Sequence, residues 1–364
     1  MREEFVQTCE TFNTVNISGL RTGFIYWQKG DITLGFSQLL EYLGCEVISF
    51  PFDARLPEDL DVVLAIGPYG SLVPLTNQLL ACPISQRPAF IFLMSEQFPN
   101  PRLPEWLRYG VGMMRSRAER LAFHQRAPGD WRLRPWLSWL TAKATRFRYY
   151  GDLYWLHRQG ILSVLGISSQ WTANFLRARG FDPFVQHLGY HPDQWTDLKL
   201  DRDIPVLWLG KTGTARRGRL LKGVRAELKE RGIEMLVIDG EENPYVFGKK
   251  RTILLKRTKI VLNLLRTEWD DNSMRYALAM PRGALVVTEP TLPHTYFTPG
   301  VHLVETPIEQ MADTICYYLS HEEERQRIAD RAYQLITKHS VVGEMSQILE
   351  KAAIARQNAI FEKP

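Results

Sequence analysis

Cysteine is scarce. The four present, Cys9, Cys45, Cys82 and Cys316, are scattered over 364 residues, and no pair has the spacing of a metal site. A disulfide framework is not needed either, because a chain of this length can bury a large core. Cys45 and Cys316 sit in apolar patterns and are expected as buried thiols. Long apolar runs are missing too. Nothing approaches the ~20 consecutive apolar residues that span a bilayer. Met1 to Glu10 is polar and acidic without a signal-peptide apolar segment, which sets the expectation of a reducing, cytoplasmic setting. Charge of one sign is also lacking. A formal net charge of +5 is mild for this length and fits a small anionic ligand or an acidic membrane surface. No recognised nucleic-acid module accompanies it, so nucleic acid is not expected as a partner. No internal repeat, low-complexity tract or long heptad pattern is present, which excludes solenoids and coiled coils.

What is there is an alternation of apolar strands and amphipathic helices, the pattern of parallel α/β sheets. Residues 1–18 read as a flexible lead-in. Arg21 to Trp27, Glu46 to Phe50 and Asp61 to Ile66 read as strands, with a helix at Leu34 to Leu43 stopped by Gly44. The loop Gly67 to Ser71 is either a tight turn or an anion-holding loop. Pro88 to Met94 is the most apolar strand of this half. Glu96 just past it is placed to act as a base or hydroxyl-binding group, or is a plain surface glutamate. Residues 102–156 differ, with arginines and Trp131, Trp136, Trp139 and Trp155 interleaved. They read either as helices packed on the sheet or as a basic, aromatic patch touching a membrane surface. Ile161 to Ile167 and Phe184 to Leu188 complete the strands. The expected division is an N-terminal domain at 19–190, a linker at 191–203, a C-terminal domain at 204–340 and a terminal helix, 341–364, crossing back.

The C-terminal half carries the stronger functional signal. After the strand Val206 to Leu209, the loop Gly210, Lys211, Thr212, Gly213, Thr214 runs into a helix that opens Ala215, Arg216, Arg217, Gly218, Arg219. Glycines, cations and a helix N-terminus together make a diphosphate cradle, unless this is merely an exposed basic loop. The stretch 259–300 reads as strand (Ile260 to Leu265), acidic loop (Glu268 to Asn272), helix (Ser273 to Met280), Gly283 and strand (Ala284 to Thr288). Ser273 is placed to cap that helix. Loops at the carboxyl ends of parallel strands carry ligands, and an ordinary solvated loop is the alternative. Strand Val301 to Val304 and helices at 307–320 and from Glu322 onward close the chain.

Two such sheet domains resemble a glycosyltransferase of the GT-B type, two Rossmann-like domains facing across a cleft. Over about 205–350 the chain resembles the retaining, nucleotide-sugar-dependent group (the family 1 and family 4-like enzymes), and within it the spore-maturation-protein-like branch. The matching residues are Gly210 and Lys211, Arg217 and Gly218, then Tyr276, Ala277, Leu278 and Ala279 before Gly283. Phe297 to Val304 and Arg325 to Ala329 complete the match. The resemblance implies a nucleotide-diphosphate sugar as co-substrate, no other cofactor and no metal. Lys211 and Arg217 would stabilise the leaving diphosphate, with Gly210, Arg216, Gly218, Ser273 and Tyr276 lining the donor. It also implies a glycan, lipid-linked or protein acceptor. Family members carry two carboxylates separated by seven residues. Anchoring on Ala277 to Ala279 puts Glu268 first and Tyr276 second, whereas anchoring on Gly283 puts Asp270 first and Leu278 second. Neither second residue is acidic, so the ribose contact comes from elsewhere or the chain is a non-catalytic relative. Glu268 is favoured for its reach, and Asp270 is its rival.

Overall fold

The computed structural model describes residues 16–27, 31–67, 70–124, 135–186, 200–270, 273–292 and 296–361. They form two parallel sheets with helices on both faces. The N-terminal sheet is built from β1 (Arg21–Tyr26), β2 (Glu46–Pro51), β3 (Val62–Gly67), β4 (Ala89–Met94), β5 (Leu162–Ile167) and β6 (Pro183–Val185), in the order β2-β1-β3-β4-β5-β6. The central strands β3 and β4 are buried at every residue, which is why they read as unbroken apolar runs instead of alternating ones. Their side chains still alternate between two cores. Val63, Ala65, Phe90 and Phe92 pack with α2 (Val73–Ala81), α4 (Pro135–Arg158) and α5 (Gln170–Arg177) on one face. Val62, Leu64, Ile91 and Leu93 pack on the other with α1 (Asp31–Tyr42) and with Met345, Ile348, Leu349 and Ala352 of the terminal helix α11 (Val341–Phe361).

The C-terminal sheet holds β7 (Ile204–Leu209), β8 (Met235–Ile238), β9 (Thr258–Asn263), β10 (Leu285–Thr288) and β11 (Val304–Glu305), in the order β11-β10-β9-β7-β8, also parallel. Helices α6 (Ala215–Glu230), α7 (Gly248–Lys256), α8 (Ser273–Ala279), α9 (Met311–Ser320) and α10 (Glu322–Ile336) cover it. Gly283 adopts φ +68° after a short 3-10 turn, Met280–Arg282, the left-handed conformation that ends a helix at lowest cost with glycine. The last strand is shorter and later than its apolar pattern predicts. The Val301 and His302 amides both donate to the Thr298 carbonyl and Gly300 turns at φ +75°, so Val304 is the first residue free to pair with β10. In the N-terminal sheet, β6 likewise covers Pro183–Val185 instead of Phe184 to Leu188, and residues 187 and 188 lie outside the described set. Cys45 is buried, and burial raises its thiol pKa. Cys316 is only half-buried, with its sulfur 3.7 Å from the Arg231 guanidinium.

The arginine- and tryptophan-rich region forms two long helices, α3 (Glu105–His124) and α4. They cross at Gly112 and Gly151. A Cβ added at Gly151 would lie 2.0 Å from the Gly112 carbonyl oxygen, so the backbones touch. Around this crossing, charge is satisfied internally. Ser116 donates to Asp152 at 2.5 Å, Arg148 lies 3.6 Å from Glu119 and 3.7 Å from Asp152, and Arg120 sits 4.3 Å over the Trp155 ring. The packed-helix reading accounts for these residues. The side chains of Trp131, Trp136 and Trp139 lie outside the described set. Among the described residues no helix is long and apolar enough to cross a membrane.

Overpacking a helix crossing costs about 1–3 kcal/mol. Gly151→Ala is therefore expected to lower the unfolding free energy by at least ~1 kcal/mol. Gly110, two residues before Gly112 and so on the other side of α3, has open space around it, so Gly110→Ala is expected to raise stability by roughly 0.5–1 kcal/mol. Urea unfolding of the two variants checks the pair.

Candidate functional site

In a parallel sheet the ligand crevice lies where strand order reverses. In the C-terminal sheet that point falls between β7 and β9. The β7 loop is the glycine- and cation-rich stretch beginning at Gly210, and the β9 loop is the acidic one. The two candidate loops, 50 or more residues apart in sequence, thus meet at one switch point.

The β7 loop is shaped by its glycines and its cap. Gly210 has φ +113°, a conformation that excludes a side chain at low cost. The Thr214 hydroxyl accepts from the Arg217 amide and starts α6, leaving earlier amides of the first turn free to meet an anion. Lys211 is exposed, and its carbonyl accepts from Arg217 at 3.2 Å. Arg217 itself is buried, with 4% exposure. Its closest carboxylate oxygen, on Asp270, is 3.5 Å away, and its Nε has no partner. Burial with so little compensation pulls its pKa down to about 10. Arg216 is fully engaged instead, forked onto Glu289 at 2.5 and 3.1 Å and donating to the Leu265 carbonyl. Gly218 lies in the first turn of α6.

The β9 loop separates the two rival carboxylates. Asp270 has no exposed surface. It accepts from the Arg266 backbone amide at 2.9 Å and from the Arg266 Nε at 3.1 Å, and faces Arg217. Glu268 is at the rim, with its side chain 64% exposed, 3.4 Å from Arg102. Asp271 and Asn272 lie outside the described residues, as does the Ser273 side chain. Tyr276 offers no surface to a ligand. It is fully buried, edge-on to Phe297, with its hydroxyl 3.5 Å from the Asn263 amide.

Three residues at this point, Arg266, Arg275 and Glu289, were not singled out in sequence. Arg275, on α8, is buried beneath the switch point. Its Nε donates to the Leu209 carbonyl at the end of β7, and its Nη1 donates to the Asn263 side chain at the end of β9. Its guanidinium lies 4.1 Å over the Trp208 ring, and a Cβ on Gly210 would sit 3.5 Å from its Nη2. Burial, with Arg217 adding its repulsion, lowers its pKa to about 9. Glu289, past β10, was hidden because nothing in its local pattern marks it as Arg216's partner. Arg275 left a trace, a charge in an otherwise apolar short helix.

The β9 loop also reaches the other sheet. Arg266 lies 3.2 Å from Glu96 at the end of β4, the Thr267 hydroxyl donates to Gln97, and the Trp269 indole donates to the Phe98 carbonyl. The carboxyl ends of both sheets therefore face one another across a cleft. Burial opposes the charge on Arg266, but Asp270 and Glu96 outweigh it and hold its pKa high. Arg146, from α4, is close enough for burial and Arg266 to lower its pKa. Among the described residues, Arg146, Arg216, Arg217, Arg266 and Arg275 thus converge around Asp270, Glu96 and Glu289, a surplus of positive charge in a site partly closed to water. Among the described residues no group of three or more His, Cys, Asp or Glu could hold a metal ion.

Removing one partner of a buried ion pair costs about 3–5 kcal/mol. Asp270→Asn, which leaves Arg217 and Arg266 facing each other, is expected to destabilise the fold by an amount of that order. Glu268→Gln at the exposed rim should stay within ~0.5 kcal/mol of the parent. Thermal unfolding of both, read at equal concentration, separates a carboxylate that holds the site together from one that fringes it.

A family model described as glycosyl transferase-like matches residues 217–350. No curated protein matches the chain by sequence. Several solved structures are similar to it. Sucrose-phosphate synthase from Thermosynechococcus elongatus aligns over 93% of this chain and 98% of its own, at 11% identity and a TM-score of 0.56. The Anabaena protein HepE, solved with UDP-glucose, aligns over 92% and 99%, at 12% identity and a TM-score of 0.54. AviGT4, a glycosyltransferase involved in avilamycin A biosynthesis, aligns over 93% and 98%, at 13% identity and a TM-score of 0.51. The chain spans about half of the TarM structures it also matches, 46% and 54% of their lengths. At these identities the likeness is one of fold, and the fold is the GT-B architecture, two Rossmann-like domains facing across a cleft.

Proposed function

We propose that the chain is a glycosyltransferase that holds a nucleotide-diphosphate sugar at the β7–β9 switch point and passes the sugar to an acceptor on the N-terminal side of the cleft. The observation that carries this reading is the pair of buried, under-compensated guanidinia, Arg217 and Arg275, behind a glycine loop and a capped helix start. A diphosphate would complete their hydrogen bonding and supply the counter-charge that burial leaves them short of. Gly210, Lys211, Arg217 and Gly218 form the diphosphate cradle in this reading. As the bond from the sugar to the diphosphate breaks, negative charge grows on the departing phosphate oxygen, where fixed cations lower the barrier. Asp270 holds Arg217 and Arg266 in place. Glu96, engaged by Arg266, stands at the acceptor side, and Glu268 contributes at the rim. The UDP-glucose bound by the structurally similar HepE makes a UDP-sugar the first donor to try. The motifs that resemble the retaining, spore-maturation-protein-like branch favour retention of configuration.

A second reading has one observation behind it. At the place of the second family carboxylate stands Tyr276, fully buried, or Leu278. A chain without that contact could bind nucleotide sugar and serve as a non-catalytic member of a glycan or envelope assembly.

Isothermal titration of the full chain with UDP, GDP, ADP and TDP tests the donor site. At least one is expected to bind, and Arg217→Ala to weaken it by about 1.5–3 kcal/mol, the range for a charged hydrogen bond. Turnover of the matching sugar nucleotide should fall further still, because the lost cation acts on leaving-group charge. A folded protein that ignores all four nucleotides would overturn the assignment. Binding without hydrolysis or transfer would favour the second reading.

A further inference from the structure

A cleft open to solvent lies at the carboxyl ends of β4 and β5, lined by Gln97, Arg108, Ser168, Ser169, Trp171 and Trp269 among others. Two donors in its wall are unsatisfied. Arg108, from α3, is only 6% exposed, yet its Nε is buried without a partner. Among the described residues no carboxylate or carbonyl takes a hydrogen bond from its guanidinium, which rests 4.9 Å from the centre of the Phe175 ring. The Gln97 side-chain nitrogen is likewise buried and unpaired, while its oxygen accepts from Thr267.

Arg115, Arg148 and Arg217 also leave their Nε unpaired, but the arginines that flank this cleft are held by carboxylates. Arg179 is forked onto Glu105 at 2.5 and 2.6 Å, and Arg266 is shared by Glu96 and Asp270. Of the carboxylates, Glu96 also lines the cleft, but Arg266 already engages it. Glu105, one turn earlier on α3, acts on Arg108 electrostatically, but its two oxygens are taken by Arg179. A buried cation that shares its counter-charge and lacks an acceptor is unfavourable, and a ligand that supplies the missing acceptor best accounts for it.

Another part of the lining fits an anion as well. Helix α5 begins here, with Ser169 as its cap accepting from the Thr172 amide. Helix starts favour negative charge, and the side chains of Ser168, Ser169 and Thr172 border the same space. Trp171 and Trp269 add flat apolar walls of the kind on which the C–H face of a sugar packs.

We propose that this cleft receives an acceptor whose sugar carries an acidic group, phosphate or carboxylate, and that Arg108 recognises that group with Gln97 and the start of α5. The word acceptor rests on the glycosyltransferase reading, whereas the acid-binding site does not. Arg108 is thereby a specificity-determining residue. A neutral sugar would leave both buried donors unpaired, a larger penalty than the contacts it gains.

The test is isothermal titration of the full chain, with and without UDP, using glucose 6-phosphate, glucuronate, glucose and inorganic phosphate. At least one acidic sugar should bind roughly tenfold or more tightly than glucose, and more tightly than inorganic phosphate. Which one does so tells phosphate from carboxylate. Arg108→Met should abolish the preference for the acid and Arg108→Lys should keep part of it, both with unchanged affinity for UDP. Equal binding of glucose and both acids overturns the proposal, as does inorganic phosphate matching glucose 6-phosphate, or a preference that survives Arg108→Met. If Arg108→Met does not fold, the ligand series on the unaltered chain still decides. If UDP fails to bind while acidic sugars bind through Arg108, the donor reading falls and the acid site stands.

Discussion

A single buried carboxylate ties the site together. Asp270 holds the backbone and side chain of Arg266, faces Arg217 at 3.5 Å, and through Arg266 communicates with Glu96 on the other sheet. Taking such a group out of water costs several kcal/mol. The Arg266 contacts are short enough to offset that cost, whereas the longer Arg217 contact leaves a guanidinium only partly neutralised. The asymmetry matters. Arg266 is occupied in joining the sheets, and Arg217 keeps charge to spare for something that enters from solvent.

The same division of labour runs through the other arginines. Arg216 is consumed by Glu289 and the Leu265 carbonyl, which fixes the start of α6 against the end of β10. Arg275 is braced by a carbonyl, an amide and an indole ring, none of which carries a formal negative charge. Such neutral partners hold a cation in position without cancelling its field. Adjacent arginines in the sequence, Arg216 and Arg217, thus end in opposite electrostatic states because successive residues of a helix point about 100° apart.

Much of this architecture is legible in the residues. β3 and β4 announce themselves by continuous apolar runs, Gly44 and Gly283 by their places after amphipathic helices, and the β7 loop by its glycines, cations and Thr214. Where reading fails, the reason is that the deciding partner is remote. Val301 to Val304 has strand composition, but Thr298 and Gly300 bend it away from the sheet. Tyr276 fits a ligand position by motif, but packing beside Phe297 decides its environment. The choice between Glu268 and Asp270 depends on Arg102, Arg217 and Arg266, and the alternation of a short loop carries no information about any of them. Arg108 is one more charge in an arginine-rich region, and its missing hydrogen-bond acceptor is a property of the folded chain alone.

The terminal helix has a consequence for what counts as a unit in this chain. α10 packs against the C-terminal sheet through Ile328, Ala332 and Ile336. Four residues later α11 supplies Met345, Ile348, Leu349 and Ala352 to the core of the N-terminal sheet. The polypeptide therefore passes between the halves twice, once on the way out and once on the way back. A segment cut out at residue 190 would carry all six strands of its sheet and still lack part of one core wall. The N-terminal sheet has to wait for residues 345–352 to be synthesised before this apolar face is covered.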